Sequence, residues 1–311
     1  MAIETPKVAS SGKIKEILLG QGDRSFAIGG ESALPFYTFE GAMPHAPRIA
    51  MEIWDKAPED WAAPLAEAFA DVYADPVAWA KKCLEAGADA IVLTLASTDP
   101  NGDDAPPEQA AATAKKVAAA LDCPLIVWGS DNDKKNGEVL RKVAETVDFK
   151  ELTLGPVVEA NYKQVGAGAI GYKHKVVAST PIDVNLAKQL NILLGNLGVK
   201  DSAIVMDCTT GGLGYGFEYT YSVMERARIA ALQQDDAKLQ FPVVCNIGKE
   251  IWKVKEARIS AAEEPSLGDA ARRGIMLECV TAVGLLLAGA DLVVLRHPQS
   301  LELVREVIAE L

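Results

Sequence analysis

Eight short apolar runs recur along the chain, at 49–54, 90–95, 125–128, 152–154, 176–178, 203–206, 243–245 and 292–295. Helix-like stretches part nearly all of them, and polar or glycine-rich residues follow most. Runs this short, apolar on both faces, belong to strands of a parallel sheet that helices cover. Eight such units in about the ~250 residues typical of the architecture predict a (β/α)8 barrel. Such barrels do their chemistry where the strands end. Here that mouth would carry Ser97, Thr98, Asp99, Ser130, Asp131, Asp207, Thr209, Asn246, Arg296 and His297.

The segment ahead of the barrel differs in character. Residues 13–19 alternate apolar and charged side chains, 20–24 are a turn signal, and 25–29 resume the apolar pattern. This predicts a β-hairpin, placed as a plug under the open N-terminal end of the barrel. The division expected is hairpin and lead-in over 1–47 and barrel over 48–311, forming one structural unit. The stretch 56–76, rich in Ala and Pro and carrying Trp61, Phe69 and Tyr73, is long for a βα loop. Lying after the first strand, on the mouth side, it is a candidate lid or partner surface. Helices are expected over 77–85, 106–121, 137–146, 159–166, from Pro181 and Asp183 to about Gly195, then 217–234, 269–288 and 298–311. The fourth of these reads as short, ended by Gly166-Ala-Gly-Ala-Ile-Gly171. Ala-Gly-Ala-Asp leads into a strand twice, at 86–89 and 288–291, as in repeated αβ units with glycine at the helix C-cap.

Composition changes the picture mainly by exclusion. The formal net charge of −12 argues against nucleic acid, whose binders need lysine and arginine against phosphate. No apolar run approaches the ~20 residues of a membrane span, and the N-terminus has no signal-peptide pattern, so a cytoplasmic location is expected. The five cysteines are scattered without a C-x-x-C pair, which predicts buried thiols and no iron–sulfur or zinc site on this chain. The three histidines lack the spacing of a metal triad.

The most informative local motif is Asp207-Cys-Thr-Thr-Gly-Gly-Leu-Gly-Tyr-Gly216, between the sixth run and a long helix. Its glycines let the backbone approach a bound group closely. The spacing is not that of a nucleotide phosphate loop. It reads either as a flexible loop or as a surface for a large flat ligand or docking partner. Asp207 and Asn246 end neighbouring strands. A carboxylate beside an amide suits an edge with alternating donors and acceptors, such as a pterin. Equally, Asp207 fits as a turn cap and Asn246 as a partner for loop backbone. Ser130-Asp-Asn-Asp133 reads as turn chemistry rather than a calcium loop. His297 fits either a functional role or a helix cap before Pro298. Lys249 invites a Schiff-base reading that the aspartate ending the sixth run disfavours.

Taken together, the segments 28–32, 48–55, 86–97, 124–131 and 206–216 resemble the small-subunit family of the corrinoid iron–sulfur protein, the delta-type subunits of acetyl-CoA decarbonylase/synthase. The resemblance covers essentially the whole chain. It implies a (β/α)8 TIM barrel, dihydropteroate synthase-like, with the N-terminal hairpin. It further implies a heterodimer in which a large corrinoid iron–sulfur subunit holds the corrinoid (cobalamin) against this barrel and carries the [4Fe–4S] cluster. The function implied belongs to the reductive acetyl-CoA pathway of anaerobes. A methyl group passes through the corrinoid, from methyltetrahydrofolate on a separate methyltransferase to acetyl-CoA synthase/CO dehydrogenase. This chain would cap the corrinoid and have no catalytic residues of its own. By position at the mouth, Thr209, Gly211, Gly212, Gly214, Tyr215 and Asn246 are the corrinoid-facing candidates. Asp207, with Asn246, matches the aspartate and asparagine of related pterin-binding barrels and is a pterin-like remnant candidate. The alternatives are a stand-alone pterin- or folate-dependent methyltransferase or synthase, and an unrelated lyase or aldolase barrel.

Overall fold

The computed structural model describes residues 5–209 and 211–310. Two strands, β1 (Ile17–Leu19) and β2 (Phe26–Ile28), pair antiparallel as the expected hairpin. The barrel follows, built from β3 (Arg48–Trp54), β4 (Ala90–Thr94), β5 (Leu125–Trp128), β6 (Thr153–Val157), β7 (Lys175–Ser179), β8 (Ile204–Asp207), β9 (Val244–Asn246) and β10 (Leu292–Leu295). All neighbours run parallel, β10 pairs with β3, and a single bridge between Met206 and Val243 closes the ring between β8 and β9.

Side chains alternate across each strand, so one half of every run faces the helices and the other faces the barrel axis. Ile49, Met51 and Ile53 of β3 belong to the outer cluster packed under the helices, with Ile91, Leu93, Val127 and Leu154. Ala50, Val92, Ile126, Val177, Val205 and Val294 form the inner cluster. The hairpin's Ile17, Leu19, Phe26 and Ile28 join that inner cluster, so the hairpin plugs the barrel floor as its pattern predicted. Burying each such aliphatic side chain contributes about 1.5–3 kcal/mol.

The covering helices are α2 (Pro76–Glu85), α3 (Pro107–Ala120), α4 (Asp133–Thr146), α5 (Tyr162–Tyr172), α6 (Val184–Leu197), α7 (Phe217–Leu232), α10 (Ala270–Leu287) and α11 (Pro298–Glu310), with short α1 (Ala63–Phe69), α8 (Ile247–Ile251) and α9 (Lys255–Arg258) in the mouth-side insertions. Asp75, Asn132, Asp183 and Asp269 each cap a helix by accepting a backbone N–H. Two helix expectations need correction. The helix expected from 137 starts at Asp133, because Asn132 accepts the Lys135 N–H at 3.0 Å and Gly137 sits inside the first turns. The helix expected over 159–166 runs instead through the glycine-rich stretch to Tyr172. Small residues there serve packing, since a Cβ on Gly166 would stand 2.7 Å from Leu197, and one on Gly168 3.3 Å from Ala144. The fourth barrel strand, expected over 152–154, spans Thr153–Val157 and so includes Gly155 and Pro156.

The insertion after β3 folds onto the barrel. Trp61 lies edge-on to Trp54, Trp79 and Tyr73, with ring centroids 5.3, 5.4 and 6.2 Å away. Its aromatic residues are therefore spent largely on each other. Among the described residues, no helix is long and apolar enough to cross a membrane.

Candidate functional site

The alternation that fills the barrel with aliphatic side chains turns polar in its last inward positions. Glu52, Thr94, Ser179, Asp207 and Asn246 lie in the inward rows at or near the mouth ends of five strands, Arg296 follows directly after β10, and all six are buried. Glu52 is the centre of one half. Its carboxylate accepts from Arg296 Nε and Nη2 at 2.7 and 2.9 Å, from Thr94 Oγ1 at 2.7 Å and from Trp54 Nε1 at 3.0 Å. Burial pushes the carboxyl up, but the guanidinium charge and these donors outweigh it and hold Glu52 below its usual range. The Arg296 guanidinium lies over the Trp54 and Trp61 rings, 5.4 and 5.0 Å from their centroids. From behind, the buried Glu278 of α10 accepts the backbone N–H groups of Arg296 (2.7 Å) and His297 (3.2 Å), fixing the end of β10.

In the other half, Asp207 accepts from Ser179 Oγ, Thr209 N and Thr209 Oγ1, each at 2.8 Å. It thus caps the turn that enters the glycine-rich loop. Asn246 does something different. It is fully buried, and among the described residues neither its amide nitrogen nor its amide oxygen has a hydrogen-bond partner. It therefore does not satisfy loop backbone, one of the two roles its position allowed. Unpaired buried amides cost about 1–3 kcal/mol and are rare in folded proteins.

An ion pair separates the two halves. Lys249, just after β9, reaches Asp131, just after β5, at 2.5 Å, with Lys253 at 3.6 Å. Those strands stand four apart in the ring of eight, on opposite sides. Burial favours the neutral acid, but Lys249 and Lys253 hold the Asp131 carboxyl below its usual range. On one side lies a cleft of about 440 Å³ lined by Glu52, Thr94, Asp99, Ser130, Lys249 and Arg296, among others. Asp207, Thr209 and Asn246 are not part of its lining. The mouth positions expected from the sequence are thus all at the strand ends, but they form two groups rather than one.

The remaining candidates take structural roles. Ser97 donates to Asp55 at 2.5 Å, and Thr98 donates to the Leu95 carbonyl. Asp99 accepts the Asn101 N–H at 2.8 Å. Ser130 receives the Asn136 amide on its carbonyl at 2.8 Å. His297 accepts the Gln299 N–H on Nδ1 at 3.1 Å and stacks on Trp252, so it caps the last helix. Burial pushes its pKa down to about 4, which keeps the ring neutral. Lys249 is committed to Asp131, consistent with the weak case for a Schiff base. The five cysteines are free and buried, with the Cys208 thiol pushed up to about 12 by burial. No group of His, Cys, Asp and Glu among the described residues is arranged to hold a metal ion.

Within the glycine-rich loop, Gly212 is buried and Gly211 takes φ of +83°, while Tyr215 is 75% exposed. A Cβ on Gly212 would stand 2.9 Å from Thr220 Oγ1, whereas Gly214 has no neighbour closer than 3.7 Å. Phe217 and Tyr219 continue the exposed aromatic surface onto α7, and Met276 and Val280 add exposed apolar surface on α10. Phe217 packs at Gly284 of α10, one turn from Val280.

Sequence reasoning missed Glu52, Thr94, Ser179 and Glu278. The signal for Glu52 was present, as a lone charge inside the apolar run 49–54 at the position that shares a face with Ala50.

Comparison with known proteins agrees with this architecture. Among solved structures, the fold is similar to dihydropteroate synthase of Xanthomonas albilineans, with a TM-score of 0.59 and 13% identity over 95% of this chain and 97% of that one. The Thermus thermophilus dihydropteroate synthase gives 0.58 and 14% over 95% and 98%. At that identity the likeness concerns the fold. Curated relatives are nearer. The acetyl-CoA decarbonylase/synthase complex subunit delta of Archaeoglobus fulgidus is 37% identical over 95% of this chain and 68% of its own length. The subunit delta 1 of Methanosarcina thermophila is 35% identical over 93% of the chain, which spans only 66% of that relative. The family model described as CO dehydrogenase/acetyl-CoA synthase delta subunit matches residues 16–308. A (β/α)8 chain matched almost end to end by that model belongs to the CO dehydrogenase/acetyl-CoA synthase delta subunit family.

Proposed function

We propose that this chain is the small subunit of a heterodimeric corrinoid iron–sulfur methyl carrier and caps the corrinoid that its large partner holds. Family membership carries the complex; the mouth carries the cap. The observation that weighs most is the Asn246 amide, whose donor and acceptor are both unpaired beneath the strand ends. A corrinoid bears peripheral carboxamides, and an amide pairs with another amide through one donor and one acceptor each. Thr209 is buried with its hydroxyl on Asp207, at the root of the loop whose exposed Gly211 and Gly214 bring backbone within reach of a flat macrocycle. Tyr215, exposed at the loop tip, supplies a ring face for the corrin edge. When bound, the corrinoid supplies a cobalt centre that accepts and releases a methyl group. This chain's residues orient the macrocycle and shield its reactive face from water.

The partners of this reading are the large corrinoid iron–sulfur subunit with its [4Fe–4S] cluster, a methyltetrahydrofolate methyltransferase and acetyl-CoA synthase/CO dehydrogenase. A pterin- or folate-dependent enzyme is the second reading. It is favoured by the same Asn246 amide next to an Asp207-bearing strand in a dihydropteroate synthase-like barrel. Anaerobic calorimetry separates the two. The cap reading expects the isolated chain to give no heat with methyltetrahydrofolate, and to retain cobalamin only with the large subunit present. Folate binding by the isolated chain that is lost in Asn246→Ala would replace it with the second reading.

A further inference from the structure

At the opposite end of the barrel, the segment Ile28-Gly-Gly-Glu-Ser32 has no part in the mouth. Gly29 and Gly30 take φ of +83° and +89°, and their Cβ positions would lie 2.2 Å from the Lys15 carbonyl and 2.7 Å from Pro44. Only glycine fits that double turn. Its effect is to send the Glu31 side chain beneath the barrel, where it is 8% exposed.

Two more buried charged groups meet it. Arg228 of α7 donates through Nε and Nη2 to the Gly289 carbonyl, at 3.2 and 2.5 Å, and through Nη2 to Asp291 at 2.5 Å. Asp291, just before β10, also accepts the Val243 N–H at 2.6 Å. That leaves Arg228 Nη1 and Glu31 Oε2, which stand 4.0 Å apart, and neither has a hydrogen-bond partner among the described residues. Both residues line a cavity of about 40 Å³. A water needs about 10–15 Å³ by that measure and two or more polar partners, so the cavity has room for at least one. A gap of 4.0 Å between a donor and an acceptor is also the span a bridging water closes.

The charges do not balance as drawn. Two carboxylates face one guanidinium in a space lined also by Ile28, Leu286 and Pro35. Two buried carboxylates that share one guanidinium do not both ionise readily. Burial first, and the Asp291 charge next, push the Glu31 carboxyl up to about 9 against the pull of Arg228. The other charged neighbours do not change that balance. His45 lines the cavity but is engaged with Glu16 at 2.7 Å. Arg48, just before the β3 interior, is paired with Asp89.

We propose that the barrel floor is a proton-and-water site, in which neutral Glu31 donates its proton to Asp291 and one buried water joins Glu31 to Arg228. The site fastens the hairpin segment to α7 and to the start of β10 by groups from three separate parts of the chain. Its ligand is water, and its control is the single shared proton.

The sign of the pH dependence follows. An unfolded glutamate ionises near 4.5 while the folded one keeps its proton to about 9. The stability conferred by the proton is complete below the unfolded value, falls as pH rises between the two, and is gone above about 9. The test is urea unfolding of the full chain between pH 6 and 9, in wild type and Glu31→Gln, a neutral side chain of the same shape. Glu31 should add a tenfold loss in the folding equilibrium per pH unit to the wild type, a slope that Glu31→Gln lacks. Equal slopes in the two proteins overturn the proposal. The infrared carbonyl band of a protonated carboxyl gives a check that needs no variant folding. It should be present in wild type at pH 7 and disappear as the pH passes about 9. A wild-type spectrum without that band at pH 7 would overturn the proposal independently.

Discussion

Replacing Glu52 by Gln would remove one charge from a pair that has almost no contact with solvent. The Glu52 side chain is 0% exposed and that of Arg296 4%, and the carboxylate accepts four hydrogen bonds between 2.7 and 3.0 Å. Gln keeps the volume and one acceptor oxygen, so the change acts mainly through the guanidinium left without its counter-charge. Its two Trp neighbours offer only cation–π compensation, on the order of 1–2 kcal/mol when desolvated. Breaking one side of a buried pair costs about 3–5 kcal/mol. In a domain of this size that corresponds to a fall in Tm of roughly 5–8 °C. Urea unfolding followed by circular dichroism reads it, with an unchanged m value as the sign of an unaltered two-state transition. The double variant Glu52→Leu/Arg296→Met removes both charges and should lose less than the two single variants summed. A Glu52→Gln protein within about 1 kcal/mol of wild type would show that the pair is well hydrated and the reasoning wrong.

Three further outcomes follow from the same geometry. Gly248→Ala should destabilise by about 1–3 kcal/mol, because its Cβ would stand 2.7 Å from Arg296 Cγ and 2.9 Å from Glu278 Oε1; thermal unfolding checks it, and a neutral result would mean that β10 yields easily. His297, held neutral by burial with a pKa near 4, binds its proton more weakly folded than unfolded, so its contribution to stability is lost as pH falls from about 6.5 towards 4. An NMR titration showing its ring protonated at pH 6 would contradict the capped, buried geometry. Tyr215→Ala should leave the isolated chain within about 0.5 kcal/mol of wild type, since the ring is 75% exposed, yet weaken capture of the corrinoid-bearing partner on an affinity column. Unchanged capture would remove the loop tip from the docking face.

Much of the fold was legible because barrel strands carry apolar residues on both faces and turn signals follow them. The hairpin was legible for the same reason, since period-two alternation around a glycine turn has few other readings. Helix α5 was not, because a glycine inside a helix and a glycine ending one look alike in sequence. Leu197 behind Gly166 and Ala144 behind Gly168 decide between them. At the site, Asp207, Thr209 and Asn246 stood where strand ends placed them. What stayed hidden was pairing between distant segments. Nothing in the local sequence joins Glu52 to Arg296, Lys249 to Asp131 or Glu31 to Arg228. Those contacts are made by closure of the ring, which brings the first strand beside the eighth and sets the third opposite the seventh.

The central claim, that this barrel caps a corrinoid held by another subunit, meets its most direct test in anaerobic co-purification of the tagged chain from its native host. One larger, cysteine-rich partner should co-elute, with absorbance of both a corrinoid and an iron–sulfur cluster in the complex. A colourless homo-oligomer with no such partner would contradict it.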